Sequence, residues 1–570
     1  MTCLSPRSWG LRPQCSARGI TARELLLVAL GASFLSVVMN WPLLLNIGDD
    51  IPKDLGDPLV QAWQVAWGGQ ALAHQPLDFF QSNQFWPLAD TLAFSDALLG
   101  YAPAGLIGSG SEAAVARYDV LFLFAYALAF FGAYLLAREL GIGPAGALVA
   151  GAAFAFAPFR LEQDGHMHVI SSGGIPLALA LGVRGYRLRR PWPVLAGFAV
   201  AAWQLSLGFT LGLPLAYLLA ALGVIAAIVW LIRGRPAPDR RLVAATAVGA
   251  ALFIAAAAVI SRPYFRVADE HPEATRGPAE VESYSGPRSV FLVAPDENPV
   301  WGGATAGLRD DFEHIPEKTL FPGLVIVALA IAGLWSASYP RGLRIALAAG
   351  VVVTSVLALG FQVEDGLLWP YRVVYELLPG WDAIRTPGRL ITFSSLGLAL
   401  LAAGGTELAM RASAGRVAAR WAPAAVAGLL ALAIVVEGRG LPFDPFDDLA
   451  QPSPPSPPTD VSAISAPQLN LPAERAQDNR RYLLWSTDGF PDMVNGRSST
   501  NPSFTAKTIA RARGFPDRRS VAYLRRLGVR SVVLHPRRTR ASVGGGSRKQ
   551  LARLGVTRRR ERGVIVYRIR

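Results

Sequence analysis

Long apolar stretches separated by short basic connections run through the first three quarters of the chain. A helix needs about 20 apolar residues to cross a bilayer, and most of the stretches come close to that length. The pattern predicts a polytopic α-helical membrane protein with about eleven spans, near 24–45, 117–138, 143–158, 170–183, 193–210, 212–232, 242–260, 320–337, 343–360, 389–410 and 421–437.

Arginine is concentrated in the short connections RELGIG, RGYRLRRPW, RGRPAPDRR, SYPRGLR and RASAGRVAAR. Short loops rich in Lys and Arg stay on the cytoplasmic side. We therefore expect residues 1–23 to be a cytoplasmic segment, and the span at 24–45, which lacks a small-residue cleavage site, to be an uncleaved signal anchor. The same rule places four longer segments outside, at 46–116, 159–169, 261–319 and 361–388.

The last quarter of the chain changes in character after the membrane domain at 24–437. Residues 438–465 include the Pro/Ser-rich run QPSPPSPPTD, which is typical of a linker. Residues 466–570 predict a small extracytoplasmic α/β domain, an accessory or acceptor-recognition module. Its predicted strands are RRYLLWST, RSVVLHP and GVIVYRIR, and its predicted helix is FPDRRSVAYLRRLG.

Composition fits this organisation and excludes other classes. Hydrophobic residues make up 52% of the chain and charged residues 17%, which is typical of a membrane protein. The formal net charge of +14 is explained by the arginine-rich connections, so we exclude nucleic acid as a partner. Both cysteines, Cys3 and Cys15, precede the first span, which excludes a disulfide framework or a Cys-based metal site further along.

The predicted first outer segment, 46–116, is long, acidic and aromatic. Asp49, Asp50, Asp54 and Asp57 lie within nine residues of one another. Asp57 precedes a proline suited to the first turn of a helix, so it is either the N-cap of that helix or a carboxylate that faces a polar head group. In the second case it acts as a general base on a hydroxyl or holds a divalent cation.

Two helices are expected to follow in this segment. The first carries Trp63 and Trp67 at helical spacing, which predicts an interfacial helix with an aromatic face. The second, about 92–108, is predicted to be amphipathic or re-entrant. Asp96 lies within it and is either a cap or a second carboxylate for substrate.

Two further predicted outer segments concentrate basic side chains. APFRLEQDGHMHVI contains Arg160, His166 and His168; interfacial anchoring, binding of a phosphate or sugar, and a zinc site all remain open for it. LLPGWDAIRTPGRL contains Arg385 and Arg389, which suit bidentate contact with phosphate, although snorkelling to lipid explains them equally well.

Several short motifs, taken as a set, resemble known proteins. LGDPLVQAWQVAW, DTLAFSDALLG, AFAPFRLEQDGHMHVI, PGWDAIRTPGRL and YLLWSTDGFPDMVNGRSS are similar to segments of poorly characterised bacterial membrane proteins related to the GT-C superfamily of glycosyltransferases. That superfamily implies an acidic first outer loop, interfacial helices, many spans and a C-terminal outer domain. The adjacent Asp-Glu pair of some GT-C families is absent, and Asp49-Asp50 is its nearest equivalent.

The resemblance also implies an activity and a site. It implies transfer of a hexosyl or pentosyl group from a polyprenyl-phosphate-linked donor to an envelope glycan, lipid or protein at the outer face of the cytoplasmic membrane. Asp57 would be the catalytic base, and the cofactor is unknown, with a divalent cation an open alternative. The substrate-binding residues would be Asp54, Asp96, Arg160, His166, His168, Arg385 and Arg389.

Two other functions stay open at the level of sequence. A carrier or flippase for lipid-linked glycans would place charges at mid-membrane depth, whereas here the charges lie almost entirely at span ends. A non-catalytic scaffold for envelope assembly, built on the same fold, would tolerate loss of the carboxylates in the first outer segment.

Overall fold

The computed structural model describes residues 19–361, 370–414, 421–440, 451–538 and 543–570. Within these residues, nine helical stretches are long and apolar enough to cross a membrane. They are Ala22–Met39, Gly110–Glu139, Pro144–Gly165, Met167–Leu188, Phe209–Ile232, Arg240–Glu270, Arg341–Ala358, Pro387–Ala414 and Ala422–Arg439. The chain is thus a multi-pass helical membrane protein, as predicted.

The helices up to residue 440 number eighteen in the described part of the chain, apart from short 3-10 turns. They are α1 (Ala22–Met39), α2 (Asp57–His74), α3 (Gly110–Glu139), α4 (Pro144–Ala155), α5 (Phe159–Glu162), α6 (Met167–Ile170), α7 (Gly174–Leu188), α8 (Pro191–Leu207), α9 (Phe209–Ile232), α10 (Arg240–Glu270), α11 (Pro278–Tyr284), α12 (Ala306–Arg309), α13 (Ile315–Lys318), α14 (Leu324–Gly333), α15 (Arg341–Ala358), α16 (Pro370–Leu377), α17 (Ile391–Ala414) and α18 (Ala422–Arg439).

Every predicted span coincides with helix in the structure, although two of these helices are not among the nine stretches long enough to cross a membrane. The span predicted at 193–210 is α8, with 17 residues, and the one predicted at 320–337 is α14, with 10 residues. α14 packs closely on α17, where Gly333 and Gly405 bring the two backbones together. Small residues that allow such close approach are typical of helix interfaces inside membranes.

The first long segment, between α1 and α3, differs from its prediction. α2 is not an interfacial helix with an exposed aromatic face, because Trp63 and Trp67 are 0% and 4% exposed. The predicted helix at 92–108 is replaced by two 3-10 helices, Thr91–Phe94 and Leu99–Leu106. Periodicity gave no sign that the aromatic face of α2 would be covered by protein instead of lipid.

The C-terminal domain is a small α/β unit with a four-stranded sheet. Its elements are β1 (Gln468–Leu471), α19 (Ala476–Trp485), α20 (Ser503–Ala512), α21 (Arg518–Arg526), β2 (Ser531–Leu534), α22 (Arg548–Arg553), β3 (Val556–Glu561) and β4 (Val564–Ile569). The strand order is β1-β2-β4-β3, with β1 parallel to β2 and the other neighbours antiparallel.

Three of the four elements predicted in this domain are present, at β2, β4 and α21. The strand predicted at RRYLLWST is wrong, because those residues belong to α19 and the turn after it. Leu and aromatic residues in a short run suit either a strand or one side of a helix, so the pattern alone was ambiguous. β1 and β3 had no counterpart in the prediction.

The C-terminal domain is docked on the segment between α1 and α3. Main-chain bonds run from Phe85 N to Asn495 O (3.1 Å), from Trp86 N to Met493 O (2.8 Å) and from Met493 N to Asn83 O (2.8 Å). Tyr482, Leu483 and Trp485 of α19 share an apolar cluster with the α2 tryptophans. This docking positions α19 at the beginning of α2.

The linker predicted at 438–465 lies partly outside the described residues, which omit 441–450. Its described part runs along the protein surface: Ile51 N donates to Pro452 O (3.1 Å), and the Trp485 indole donates to Pro455 O (2.6 Å). Residues 451–455 are therefore bound to both domains.

Candidate functional site

A pocket of about 410 Å³ opens where the beginning of α2 meets α19. It lies at the boundary between the membrane domain and the C-terminal domain, and most of its polar lining groups are ionisable. Its lining residues are Lys53, Asp54, Leu55, Gly56, Asp57, Pro58, Glu162, Gly165, His166, Pro316, Gln477 and Arg480.

Asp57 is the first residue of α2, and its carboxylate faces this pocket. The N-cap position is occupied by Gly56, and no cap hydrogen bond comes from the Asp57 side chain, so the N-cap interpretation is wrong. Asp57 Oδ1 instead accepts from Arg480 Nη2 (2.8 Å), and Oδ2 lies 3.8 Å from His166 Nε2. Its side chain is 47% exposed, which leaves it open to a ligand.

The charge state of Asp57 follows from these neighbours. Burial raises the pKa of the Asp57 carboxyl, but the positive charges of His166 and Arg480 outweigh burial, so its pKa lies below the ordinary value. Burial and the charge of Arg389 lower the pKa of the His166 imidazole, so His166 carries its positive charge over a narrower pH range than an ordinary histidine. Arg480 is therefore the permanent cation that keeps Asp57 ionised.

His168 lies behind His166 in a buried polar chain. The two rings are 5.9 Å apart and edge to face. His168 Nε2 is 2.8 Å from Arg389 Nη1 and 3.7 Å from Asp96 Oδ2, while Arg389 makes a bidentate ion pair with Glu317 (2.5 Å and 3.0 Å). The structure thus brings His168, Arg389 and Asp96 together, although none of the three lines the pocket.

Asp96 is a cap, but for a helix other than the one predicted. Its carboxylate accepts from Phe209 N (2.7 Å) and Thr210 Oγ1 (2.6 Å), which are the first two residues of α9. Asp54 is a pocket residue whose Oδ1 accepts from Gly56 N (2.6 Å). That bond stabilises the turn leading into α2.

Arginines from both domains lie close to one another, and Arg480 and Arg497 of the C-terminal domain lie near Asp57. Arg276 and Arg385 both contact Glu280 Oε1 (3.1 and 3.6 Å), and both donate to Ser499 of the C-terminal domain. Arg497 lies near Arg480 and Arg385, and burial followed by the charge of Arg480 lowers its pKa. Cations crowded in this way attract an anion.

Arg160 does not reach the pocket. It is 2% exposed, its guanidinium donates to Ser172 Oγ (2.9 Å) and Ile170 O (2.8 Å), and it lies over the Tyr126 ring. Beside it, Arg439 pairs with Asp164 (2.7 Å). The structure therefore gives Arg160 a packing role within the membrane domain.

No grouping of three or more His, Cys, Asp or Glu side chains suited to a metal ion occurs among the described residues. The carboxylates of the pocket, Asp54, Asp57 and Glu162, are each engaged by a hydrogen bond or by a cation, Arg480 or Lys53. The geometry gives no support to the zinc alternative for His166 and His168.

The overall fold has solved counterparts. Two cryo-EM structures of the arabinofuranosyltransferase AftD from mycobacteria match 97% of this chain at 16% sequence identity, with TM-scores of 0.50 and 0.51. The chain spans only 42% of the length of those structures. No family model and no curated protein matches the chain.

This likeness shows that the chain shares the overall fold of those structures. At 16% identity it establishes the fold alone.

Two basic pocket residues, Lys53 and Arg480, were missed by the sequence reasoning. Arg480 was placed in a strand, so its approach to Asp57 across more than four hundred positions of the chain could not be foreseen. Lys53 bridges Glu297 (2.7 Å) and Glu162 (3.8 Å) at the pocket rim. The sequence did contain a signal for Lys53, because it is the one basic residue among four aspartates and a lysine there is expected to form an ion pair.

Proposed function

We propose that this protein is a glycosyltransferase that uses a polyprenyl-phosphate-linked sugar donor at the outer face of the cytoplasmic membrane. The observation that carries the proposal is the ionised, half-exposed carboxylate of Asp57 in a pocket at the boundary of the two domains. The acceptor would be a hydroxyl of an envelope glycan, lipid or protein.

The step is an inverting displacement at the anomeric carbon of the donor sugar. Asp57 takes the proton of the acceptor hydroxyl as its oxygen forms the new bond to carbon. The bond from that carbon to the phosphate oxygen breaks, and polyprenyl phosphate leaves with the electron pair. A carboxylate held ionised below its ordinary pKa is in the protonation state that a general base requires.

Cations beside Asp57 suit the leaving phosphate. Arg480 borders the pocket with His166, and Arg385 and Arg497 extend the positive charge beyond it. Preorganised cations stabilise charge that develops on a leaving group. Arg389 and His168 support the pocket from behind, with Glu317 fixing the Arg389 guanidinium.

Asp57→Asn tests the base directly. Membranes containing the variant should transfer radiolabelled sugar from a polyprenyl-phosphate donor pool about 10²–10⁴ times more slowly than wild type, the usual contribution of a general base. The substitution preserves size and removes the negative charge.

Asp78→Asn is a matched control, because Asp78 belongs to the same long segment but is exposed and away from the pocket. It should transfer at the wild-type rate. Undiminished transfer by a normally inserted Asp57→Asn protein would remove Asp57 as the base, and absence of transfer by wild type with any donor would favour a scaffold.

A further inference from the structure

Positive charge is distributed very unevenly between the two parts of this protein. Residues 466–570 contain 24 Lys and Arg residues and 6 Asp and Glu residues, so their formal net charge is +18. Because the whole chain carries +14, residues 1–465 carry −4. The C-terminal domain is therefore a strongly basic module attached to a slightly acidic membrane domain.

The charge is densest in the hairpin formed by β3 and β4. Residues 556–570 contain six arginines and a single acidic residue, Glu561. Arg558, Arg559, Arg560 and Arg562 are all exposed, and we call these four residues the basic edge. The ion pair between Arg559 and Glu561 is loose (3.5 Å), and the Arg559 side chain remains 76% exposed.

Neighbouring elements extend this surface. α22 packs against β3 and adds Arg548 and Lys549, which are both exposed. Beside the basic edge, an open groove of about 730 Å³ is lined by Arg559, Arg560 and Arg562, by the linker residues Pro457 and Pro458, and by the carboxylates of Asp460, Asp488 and Glu561.

The sheet order places the basic edge at the side of the sheet opposite the docked strand. β1 lies at the docked side, since Gln468 is bridged to Met493, which bonds to Asn83. β3 is the opposite edge of the sheet, about 14 Å away at the usual strand spacing. The exposed arginines of β3 are therefore open to a polymer in solution.

Protection of an edge strand is the simplest alternative for charges on β3. One or two charged side chains are enough to discourage pairing with another strand. Four exposed arginines among residues 558–562, within a domain of net charge +18, exceed that need. Arginine forks also match the geometry of carboxylate and phosphate groups.

We propose that the basic edge binds an anionic polysaccharide, one that carries carboxylate or phosphate groups along its chain. This binding site is separate from the Asp57 pocket and does not depend on the proposed transfer reaction. It would hold the protein, and any acceptor attached to that polymer, at an acidic layer of the envelope.

The test measures binding by the full chain in phosphatidylcholine nanodiscs. Fluorescent polygalacturonate is the anionic probe, and dextran of equal length is the neutral control. Polygalacturonate should bind and dextran should not. Because binding releases counterions, the logarithm of the affinity for polygalacturonate should fall linearly with the logarithm of the salt concentration. Binding of dextran as tightly as polygalacturonate would overturn the proposal.

Two variants with equal charge loss locate the site. R558Q/R559Q/R560Q/R562Q should weaken polygalacturonate binding at least about tenfold and flatten the salt dependence. R511Q/R513Q/R518Q/R519Q removes four exposed arginines from the region of α20 and α21. This variant should weaken polygalacturonate binding only about twofold.

Equal weakening by both variants would mean diffuse attraction by net charge and would overturn the assignment to the basic edge. A third arm adds vesicles containing phosphatidylglycerol. Capture of these vesicles without binding of polygalacturonate would show that the surface recognises lipid head groups and would also overturn the proposal. Asp57→Asn should leave polygalacturonate binding unchanged, so failure of the transfer proposal is distinguishable from failure of this one.

Discussion

Two consecutive arginines on α19 show how finely position decides a residue's role. Arg480 Nη2 lies 2.8 Å from Asp57 Oδ1, whereas Arg481 Nη1 lies 3.4 Å from Asp478 on its own helix. Neighbours on a helix point about 100° apart, so only one of them can face the pocket. The sequence RRY does not distinguish them.

Arg480→Gln should shift the acid limb of the rate of sugar transfer to higher pH. Burial raises the pKa of the Asp57 carboxyl, and Arg480 is the permanent charge that opposes it. Without that charge the carboxyl protonates at higher pH and loses its function as a base sooner on acidification. The pH–rate profile of membranes containing the variant measures the shift.

Arg481→Gln is the matched control and should leave the acid limb in place, because Arg481 faces Asp478. If Arg480→Gln lowers the rate without moving the acid limb, Arg480 contacts the substrate only and does not tune Asp57.

At the scale of elements, α2 depends on close packing along its length. Two 3-10 helices, Thr91–Phe94 and Leu99–Leu106, lie beside it, and α19 covers its tryptophan face. Gly69 of α2 meets Gly105 with almost no space between the backbones. Any side chain there would push the two segments apart and displace Asp57 with them.

Gly69→Ala should lower the free energy of unfolding by about 1–3 kcal/mol, since the added methyl group overlaps the backbone of Gly105. Thermal unfolding of the detergent-solubilised protein measures the change. Gly182→Ala in α7 has open space around the new methyl group and should be neutral or stabilising by up to about 1 kcal/mol. Equal stability of the two variants would contradict the packing of α2.

At the scale of the whole molecule, the pocket is completed only by the C-terminal domain. Lys53, Asp57 and His166 belong to the membrane domain, and Gln477 and Arg480 come from α19. The docking bonds near Trp86 and Met493 hold these two sets together. The two domains therefore act as one unit around Asp57.

The arginine-rich connections predict that the pocket and the C-terminal domain lie outside the cytoplasm. A reporter that is active only outside, fused after Arg570, should be active, and a cytoplasmic reporter fused there should be silent. The same pair fused within 234–239, a predicted cytoplasmic connection, should give the reverse. An active cytoplasmic reporter after Arg570 would contradict this orientation and would mean that the pocket, and the donor it binds, lie on the cytoplasmic face.

Much of the helical framework could be read from the sequence, because span length and apolar composition are local properties. Each predicted span coincides with a helix, and the α21, β2 and β4 segments were also found. The prediction was wrong where burial comes from distant residues. α2 was predicted to be interfacial because nothing in its own sequence shows that Tyr482 and Trp485 cover it. α19 was predicted to be a strand because its short apolar run does not show that it packs on α2 as a helix.

The candidate site divides in the same way. The sequence by itself determined that carboxylates cluster before a proline-initiated helix, and that Arg and His residues collect at span ends. Only the tertiary structure decided which of them meet: Asp57 with Arg480, Asp96 with α9, and Arg160 inside the membrane domain. Residue type and local spacing can be read directly from the sequence. Contacts between residues hundreds of positions apart are set by how the helices and the two domains pack.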